Sequence, residues 1–257
     1  MKKIIFAFTL LVIIFNLNSA FAQNVWSSGE VLEYEVSFLG IKLGTIKIES
    51  LKEDILNGKP VYLAKATMQS NPGIPFVSLY AVFNSWMDKS LGYSHQFIGN
   101  TKTSDGWNYN KIDFDYENKK ITNRHWLNDS LITNDVFDIT GKINDGCSLF
   151  FFARKYTDIK KTVKVPTFID GKSITTINFI GRREPVKIDA IPYQVQTIYF
   201  DGKADWQGVY GLSGRFEGWF SDDDARVPIK AYMNVYVGKV LIELIKWKRE
   251  GWKPPKA

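Results

Sequence analysis

Ile229-Lys230-Ala231-Tyr232-Met233-Asn234-Val235-Tyr236-Val237, followed by Gly238 and then Lys239–Trp247, is the stretch that decides the fold of this 257-residue chain. Ile229, Ala231, Met233, Val235 and Val237 alternate with Lys230, Tyr232, Asn234 and Tyr236. A period of two places one set on an apolar face and the other toward water or a polar lumen, as on a β-strand. Gly238 supplies the positive φ of a tight hairpin, and the second apolar run then folds back on the first.

The same pattern extends outward in both directions. Leu32, Tyr34, Val36 and Phe38 alternate with Glu33, Glu35 and Ser37, and Ile112, Phe114 and Tyr116 alternate with Lys111, Asp113 and Asp115. Turn signals punctuate the runs: Leu39-Gly40, Asn57-Gly58-Lys59-Pro60, Ser104-Asp105-Gly106, Glu117-Asn118 and Asp170-Gly171. Regular spacing of this kind predicts an all-β, mainly antiparallel fold. The expected form is a barrel or strongly curved sheet of about ten to twelve strands, with one or two short helices.

Two segments depart from the period of two. In Asn71–Tyr80, Pro72 and Pro75 exclude a central strand, and Phe76, Leu79, Tyr80 and Phe83 are spaced for one face of a short helix. Asp145–Tyr156 predicts the better helix. Asn144 or Asp145 caps it, Leu149, Phe152 and Tyr156 share a face, and Arg154 and Lys155 suit the negative end of its dipole. This helix is expected to plug or cover an opening in the sheet. The tail Gly251–Ala257 reads as linker-like.

The N-terminus carries a compartment signal. Lys2 and Lys3 precede an apolar run from Ile4 to Phe15, and Ala20-Phe21-Ala22 supplies small residues at the two positions that signal peptidase reads. The apolar run is short for a membrane span, which takes about 20 apolar residues. The order predicts a signal peptide, 1–22, cut after Ala22, and a mature periplasmic chain, 23–257, forming one β domain not integral to the membrane. Loss of Lys2 and Lys3 takes the formal charge from +6 to +4. Scattered charge and export both argue against nucleic acid as a partner. Cys147 is the single cysteine, so no intrachain disulfide forms, and stability falls to a core for which an aromatic content of 15% is ample.

The order of motifs resembles the exported bacterial envelope family called domain of unknown function 3108. The residues that carry the likeness begin with Gly29-Glu30-x-Leu32-x-Tyr34 and Gly40-x-x-x-Gly44. Near the middle comes Asp145-x-x-Ser148, with Arg154 where the family has an arginine and Tyr156 beyond it. Gly218-Trp219-x-Ser221-Asp222, Val227-Pro228 and Val237-Gly238-x-Val240 follow. The resemblance spans nearly the whole mature chain. It implies an envelope location and a β architecture, and it implies no mechanism.

Candidates for chemistry are sparse. Cys147 sits near the start of the predicted helix, where a dipole lowers a thiol pKa, but no elbow motif accompanies it and a lone cysteine is usually structural. Asp222-Asp223-Asp224 has the composition of a calcium loop without its spacing and reads as a solvated turn. His95, His125 and Cys147 lack zinc-ligand spacing. Asp113, Asp115, Glu184 and Glu217 are nominal carboxylates for glycoside hydrolysis. The expectation is therefore no catalytic residue, no metal and no cofactor.

Aromatic residues suggest a cavity instead, because barrels of more than about eight strands are too wide for side chains to fill. Phe76, Leu79, Tyr80, Phe83, Trp86 and Trp107 are the expected ligand-binding residues, with Trp126, Trp206 and Trp219 as further wall candidates and Ile74–Phe83 as a lid. The leading expectation is a non-enzymatic envelope protein that binds or carries an apolar, lipid-like small molecule. A structural or assembly factor for another envelope protein is the alternative, and a hydrolase of cell-wall or glycan material is the third.

Overall fold

The computed structural model describes residues 24–74, 78–103, 105–169, 171–208, 213–235 and 238–257. Residues 1–22 of the expected signal peptide lie outside them. So does Phe76 of the expected lid.

Fifteen strands occur among the described residues. They are β1 (Val31–Phe38), β2 (Ile41–Leu56), β3 (Lys59–Ser70), β4 (Tyr80–Asp88), β5 (Ser94–Thr103), β6 (Gly106–Asp115), β7 (Lys120–Leu127), β8 (Ser130–Asp138), β9 (Thr162–Phe168), β10 (Lys172–Asn178), β11 (Arg183–Val186), β12 (Val195–Ala204), β13 (Gly214–Ser221), β14 (Pro228–Asn234) and β15 (Lys239–Lys248). One helix, α1 (Gly146–Tyr156), and a 3-10 turn, Thr157–Ile159, lie between β8 and β9. The strands form one antiparallel sheet in the order β8-β7-β6-β5-β4-β3-β2-β1-β15-β14-β13-β12-β10-β9, with β11 beside β12.

Chain neighbours pair throughout two meanders, β1–β8 and β12–β15. The long-range ladder of β1 with β15 welds the meanders together, from Val31↔Lys248 to Ser37↔Leu241. The sheet is strongly curved but not closed by hydrogen bonds, because β8 and β9 are its edges. Side chains span that seam. The rings of Phe137 and Phe168 lie 5.2 Å apart, and Lys172 Nζ donates to the Asp138 carbonyl at 3.2 Å. Register shifts at Glu33/Tyr34, Ser50/Lys52, Trp86/Met87 and Trp219/Phe220 mark bulges, which bend the strands that carry them.

The strand number exceeds the expected ten to twelve, and two of the additional strands show why. β5 and β8 do not alternate cleanly. Gly99 and Thr101 of β5, and Thr133 and Asp135 of β8, point to the concave side because part of that side is polar. The expected helix around Phe76–Phe83 is also corrected. Tyr80 and Phe83 belong to β4, where an interval of three puts them on opposite faces.

Helix α1 closes one end of the curved sheet. Asp145 is its N-cap and forms a capping box with Ser148. Asp145 Oδ1 accepts from the backbone N–H groups of Cys147 (2.7 Å) and Ser148 (2.8 Å), and the Asp145 N–H donates to Ser148 Oγ at 2.9 Å. The cap is tied to the sheet, since Ser85 Oγ donates to Asp145 Oδ2 at 2.6 Å and the Asp145 N–H is also 2.8 Å from Ser94 Oγ. The helix reaches three apolar clusters. Phe150 packs on the cluster around Leu32, Ile229 and Leu244, and Phe151 on Val25, Trp26 and Met87. Leu149, Phe152 and Tyr156 pack against Val165, Ile177 and Phe220.

The helix is anchored by a buried ion network. The Arg154 guanidinium grips both carboxylate oxygens of Glu30, at 2.7 and 3.1 Å, and donates to the carbonyls of Ala225 (2.9 Å) and Arg226 (3.2 Å). Arg249 pairs with the same carboxylate. Arg154 is 0% and Glu30 1% exposed, so every charge here is matched by a partner rather than by water. The tail is no free linker. It runs beside β12, with the Gln196 N–H donating to the Pro255 carbonyl (2.9 Å) and Tyr193 Oη to the Pro254 carbonyl (2.8 Å).

Candidate ligand-binding site

Between the concave face of the sheet and the first turns of α1 lies a cavity of about 810 Å³. That falls within the roughly 300–1,000 Å³ typical of small-molecule sites. Gly146, Cys147, Leu149 and Phe150 form its floor. Its wall divides into two chemically distinct halves.

The larger half is apolar. Ile46 and Ile48 come from β2, Ala66 and Met68 from β3, Phe83 from β4, Phe200 from β12, Phe216 and Phe220 from β13, and Ile242 from β15. Glycine shapes this wall. A Cβ on Gly218 would sit 2.7 Å from Phe200 Cε1, and one on Gly202 would sit 2.4 Å from Phe216 Cζ. Each ring therefore lies flat across a bare stretch of the neighbouring strand and leaves the middle open. Gly99 does the same between Phe83 and Phe97, whose rings stack at 5.6 Å.

The smaller half comes from β5–β8. Register brings Thr101 opposite Asn108, Asn110 opposite His125, Asn123 opposite Asp135 and His125 opposite Thr133, all lining the cavity. His125 Nε2 and Asn108 Oδ1 are 2.9 Å apart. Asn110 Oδ1 and Asn123 Oδ1 are buried without a hydrogen-bond partner, and so is the hydroxyl of Tyr34, which lies on the apolar side.

The expected binding residues separate into two groups. Phe83 lines the cavity. Trp86 and Trp107 lie on the convex face instead, because their positions on β4 and β6 alternate with the inward Phe83, Ser85, Asn108 and Asn110. Trp86 Nε1 donates to Asp54 Oδ2 at 3.3 Å. Trp107 is 40% exposed and meets the edge of Tyr80, itself 39% exposed, at 6.0 Å. Leu79 belongs to the strap before β4, where its N–H donates to Ser70 Oγ at 2.9 Å. Phe76 lies outside the described residues. Of the further candidates, Trp206 lines the cavity and donates to Thr175 Oγ1 at 2.7 Å, whereas Trp219 is turned outward to Glu184 at 2.6 Å.

The chemistry-bearing residues are placed as follows. Burial pushes the Cys147 thiol well above its ordinary range, and Asp145 adds to the effect. Desolvation lowers His95, although Asp88 opposes the shift. Asp223 organises a tight turn, accepting from Ser221 Oγ (2.8 Å) and from the N–H groups of Ala225 and Arg226 (both 3.1 Å). Asp222 pairs with Arg226 at 2.9 Å and Arg183 at 2.6 Å. Asp113 is engaged by Arg124 at 2.9 Å, Glu184 by Trp219, and Glu217 by Lys239 at 3.2 Å. Among the described residues, no group of three His, Cys, Asp or Glu side chains is arranged to hold a metal ion.

A curved antiparallel sheet, plugged at one end by a pinned helix and hollow within, defines a β-barrel-like protein with an internal cavity. The chain belongs to the family described as protein of unknown function DUF3108, whose model matches residues 33–245. Among solved structures it is similar to a β-barrel-like protein of domain of unknown function DUF1849 from Brucella abortus. The TM-score is 0.58 at 11% identity, covering 87% of this chain and 98% of that one. A protein of YmcC-like fold from Bacteroides fragilis matches with a TM-score of 0.38 at 8% identity, over 87% of this chain and 97% of that one. No curated protein matches.

These geometries explain the motifs that carried the family resemblance. Glu30 and Arg154 are the buried pair, and Asp145 and Ser148 are the capping box. Gly40, at φ +81°, completes the β1–β2 turn. Gly44 lets β3 approach, since a Cβ there would meet the Gln69 carbonyl oxygen at 2.2 Å. The motifs thus hold the frame around the cavity.

Proposed function

We propose that this protein binds an apolar, lipid-like small molecule in the cavity above α1 and carries it in the bacterial envelope after export. The cavity itself carries the reading. It is preformed, walled largely by aliphatic and aromatic side chains, and kept open by phenylalanines lying over glycines rather than filled by them. The N-terminal pattern of Lys2, Lys3 and Ala20-Phe21-Ala22 supports export. No described helix is long and apolar enough to cross a membrane.

Native mass spectrometry of gently purified mature protein tests the proposal. Copurified ligand is expected on the wild type and is expected to be lost from Ala231→Trp, which projects an indole into the cavity from β14. Equal ligand on both, or none on the wild type, would count against it.

A second reading has one observation of its own. Edge strand β8 presents an unpaired backbone row, with Leu131, Ile132 and Val136 at 54%, 55% and 58% exposure. Such an edge is a template for strand addition by a partner protein. Stoichiometric capture of one envelope protein, abolished by Ile132→Pro, would favour an assembly role.

A further inference from the structure

The two halves of the cavity wall differ in kind, and the polar half narrows the ligand class. We infer that the ligand is a neutral amphiphile whose polar end carries hydroxyl groups, seated with that end against β6–β8 and its hydrocarbon against β12–β15. This rests on the apolar-ligand reading above.

Three observations carry the inference. First, the polar groups are gathered on one side: Asn108, Asn110, Asn123, His125, Thr133 and Asp135 occupy facing positions on three consecutive strands. A polar patch with only a structural role would satisfy itself, because an unpaired buried polar atom is costly. Here the carboxamide oxygens of Asn110 and Asn123 have no partner. They are unused acceptors on the polar side of the wall.

Second, the sign of the site is wrong for an acidic headgroup. Asp135 is the charged group beside the asparagines. The lysines at the lining, Lys65 of β3 and Lys230 of β14, stand at positions that alternate with the inward Ala64, Ala66 and Met68 and with the inward Ala231 and Met233. Lys230 lies at the lining through its strand, but its Nζ is paired with Glu243 at 2.9 Å on the convex face. A carboxylate or phosphate would be buried against carbonyl oxygens with no cation to offset it, an arrangement that proteins avoid. Hydroxyl groups donate to Asn110 and Asn123 and accept from the ring N–H or amide groups nearby.

Third, the apolar half is broad. Phe200, Phe216 and Phe220 form a nearly continuous aromatic surface, with Phe200 and Phe220 stacked at 4.4 Å. This surface is suited to an acyl chain and offers nothing to a wholly polar ligand.

The test uses the purified mature protein, Nile red as a neutral cavity probe, and two competitors of equal chain length used below their aggregation concentrations. Monoolein has a neutral dihydroxy head and oleate an anionic one. Monoolein is expected to displace Nile red at about tenfold lower concentration than oleate. The double variant Asn110→Leu, Asn123→Leu is expected to bring that ratio below about threefold. If oleate displaces as well as monoolein from the wild type, or if Nile red binds and neither competitor displaces it, the headgroup inference is overturned while the cavity reading stands. If Nile red does not bind at all, the cavity reading itself fails and takes the inference with it. If the double variant does not fold, the wild-type ratio alone decides.

Discussion

At the scale of single residues, the most consequential group is Arg154. It sits inside the molecule with no exposure, and Glu30 and two backbone carbonyls neutralise and satisfy it. Removing Arg154 takes from Glu30 its bidentate partner, leaving Arg249 alone to offset the buried carboxylate, and strips two buried carbonyls of their donor, at a cost of about 3 kcal/mol. Arg154→Met is therefore expected to lower the denaturation midpoint severely, and chemical denaturation measures it. Glu30 adds a pH signature. Burial alone would raise its carboxyl, but Arg154 and Arg249 more than offset that, and it lies below its ordinary 4.5. A depressed acid contributes stability that is present above the ordinary carboxylate pKa and is lost as pH falls through the lowered folded value. Melts from pH 7 to pH 3 should show the gap between wild type and Glu30→Gln shrinking once pH drops below about 4.5. A gap independent of pH would contradict the assignment. The sequence marked Arg154 as a helix-end cation, but Glu30 lies 124 positions away in the chain, and nothing local pairs them. Cys147 behaves oppositely. With its thiol held protonated by burial, Cys147 is expected to resist alkylation at neutral pH in the folded protein, and Cys147→Ser should cost about 1 kcal/mol of stability in chemical denaturation.

Among the elements, α1 was legible to within a residue, because its cap, amphipathic face and basic end all agree locally. Asp145 caps it as one of the two expected candidates did, and its carboxylate also binds Ser85 of β4. Asp145→Ala should therefore cost more than an exposed cap, about 2 kcal/mol or above, read as a fall in thermal midpoint with the helix end fraying. Of the strands lining the polar half, β5 and β8 were harder to see, since they break the apolar alternation that reveals a strand. β4 was misread for a different reason. Phe76, Leu79, Tyr80 and Phe83 match a helical spacing, yet Tyr80 and Phe83 lie in a strand on opposite faces, so tertiary pairing with β3 and β5 overrides the local period. The interior glycines were a missed signal, for Gly99, Gly202 and Gly218 within strands mark places where a ring must lie close. Gly218→Ala would put a methyl group 2.7 Å from Phe200 and drive that ring into the cavity. The expected result is weaker Nile red binding together with a stability loss of about 1–3 kcal/mol. Unchanged binding would mean that the ring has another place to go.

For the molecule as a whole, alternation and turn spacing were sufficient to give an antiparallel, strongly curved sheet with a plugging helix. The site was only half legible. Aromatic abundance pointed to a cavity, and Phe83 and Trp206 line it, but the face to which each tryptophan turns depends on the parity of its position within its own strand. Trp86 and Trp107 are each one position from an inward residue, Ser85 and Asn108, and so face outward. The asparagines gave no sign of their role, because isolated Asn residues in strands read as turns or surface until the sheet curls and gathers them. Export is expected to yield a mature N-terminus at Gln23, and intact mass of the periplasmic form checks it. Retention of residues 1–22 would contradict that expectation. The central claim, that the hollow between sheet and helix is a ligand site, is tested most directly by native mass spectrometry of wild type beside Ala231→Trp. The prediction is a noncovalent adduct of lipid mass on the folded wild type that is absent from the equally folded variant. A wild type free of adduct that also fails to bind Nile red would contradict it.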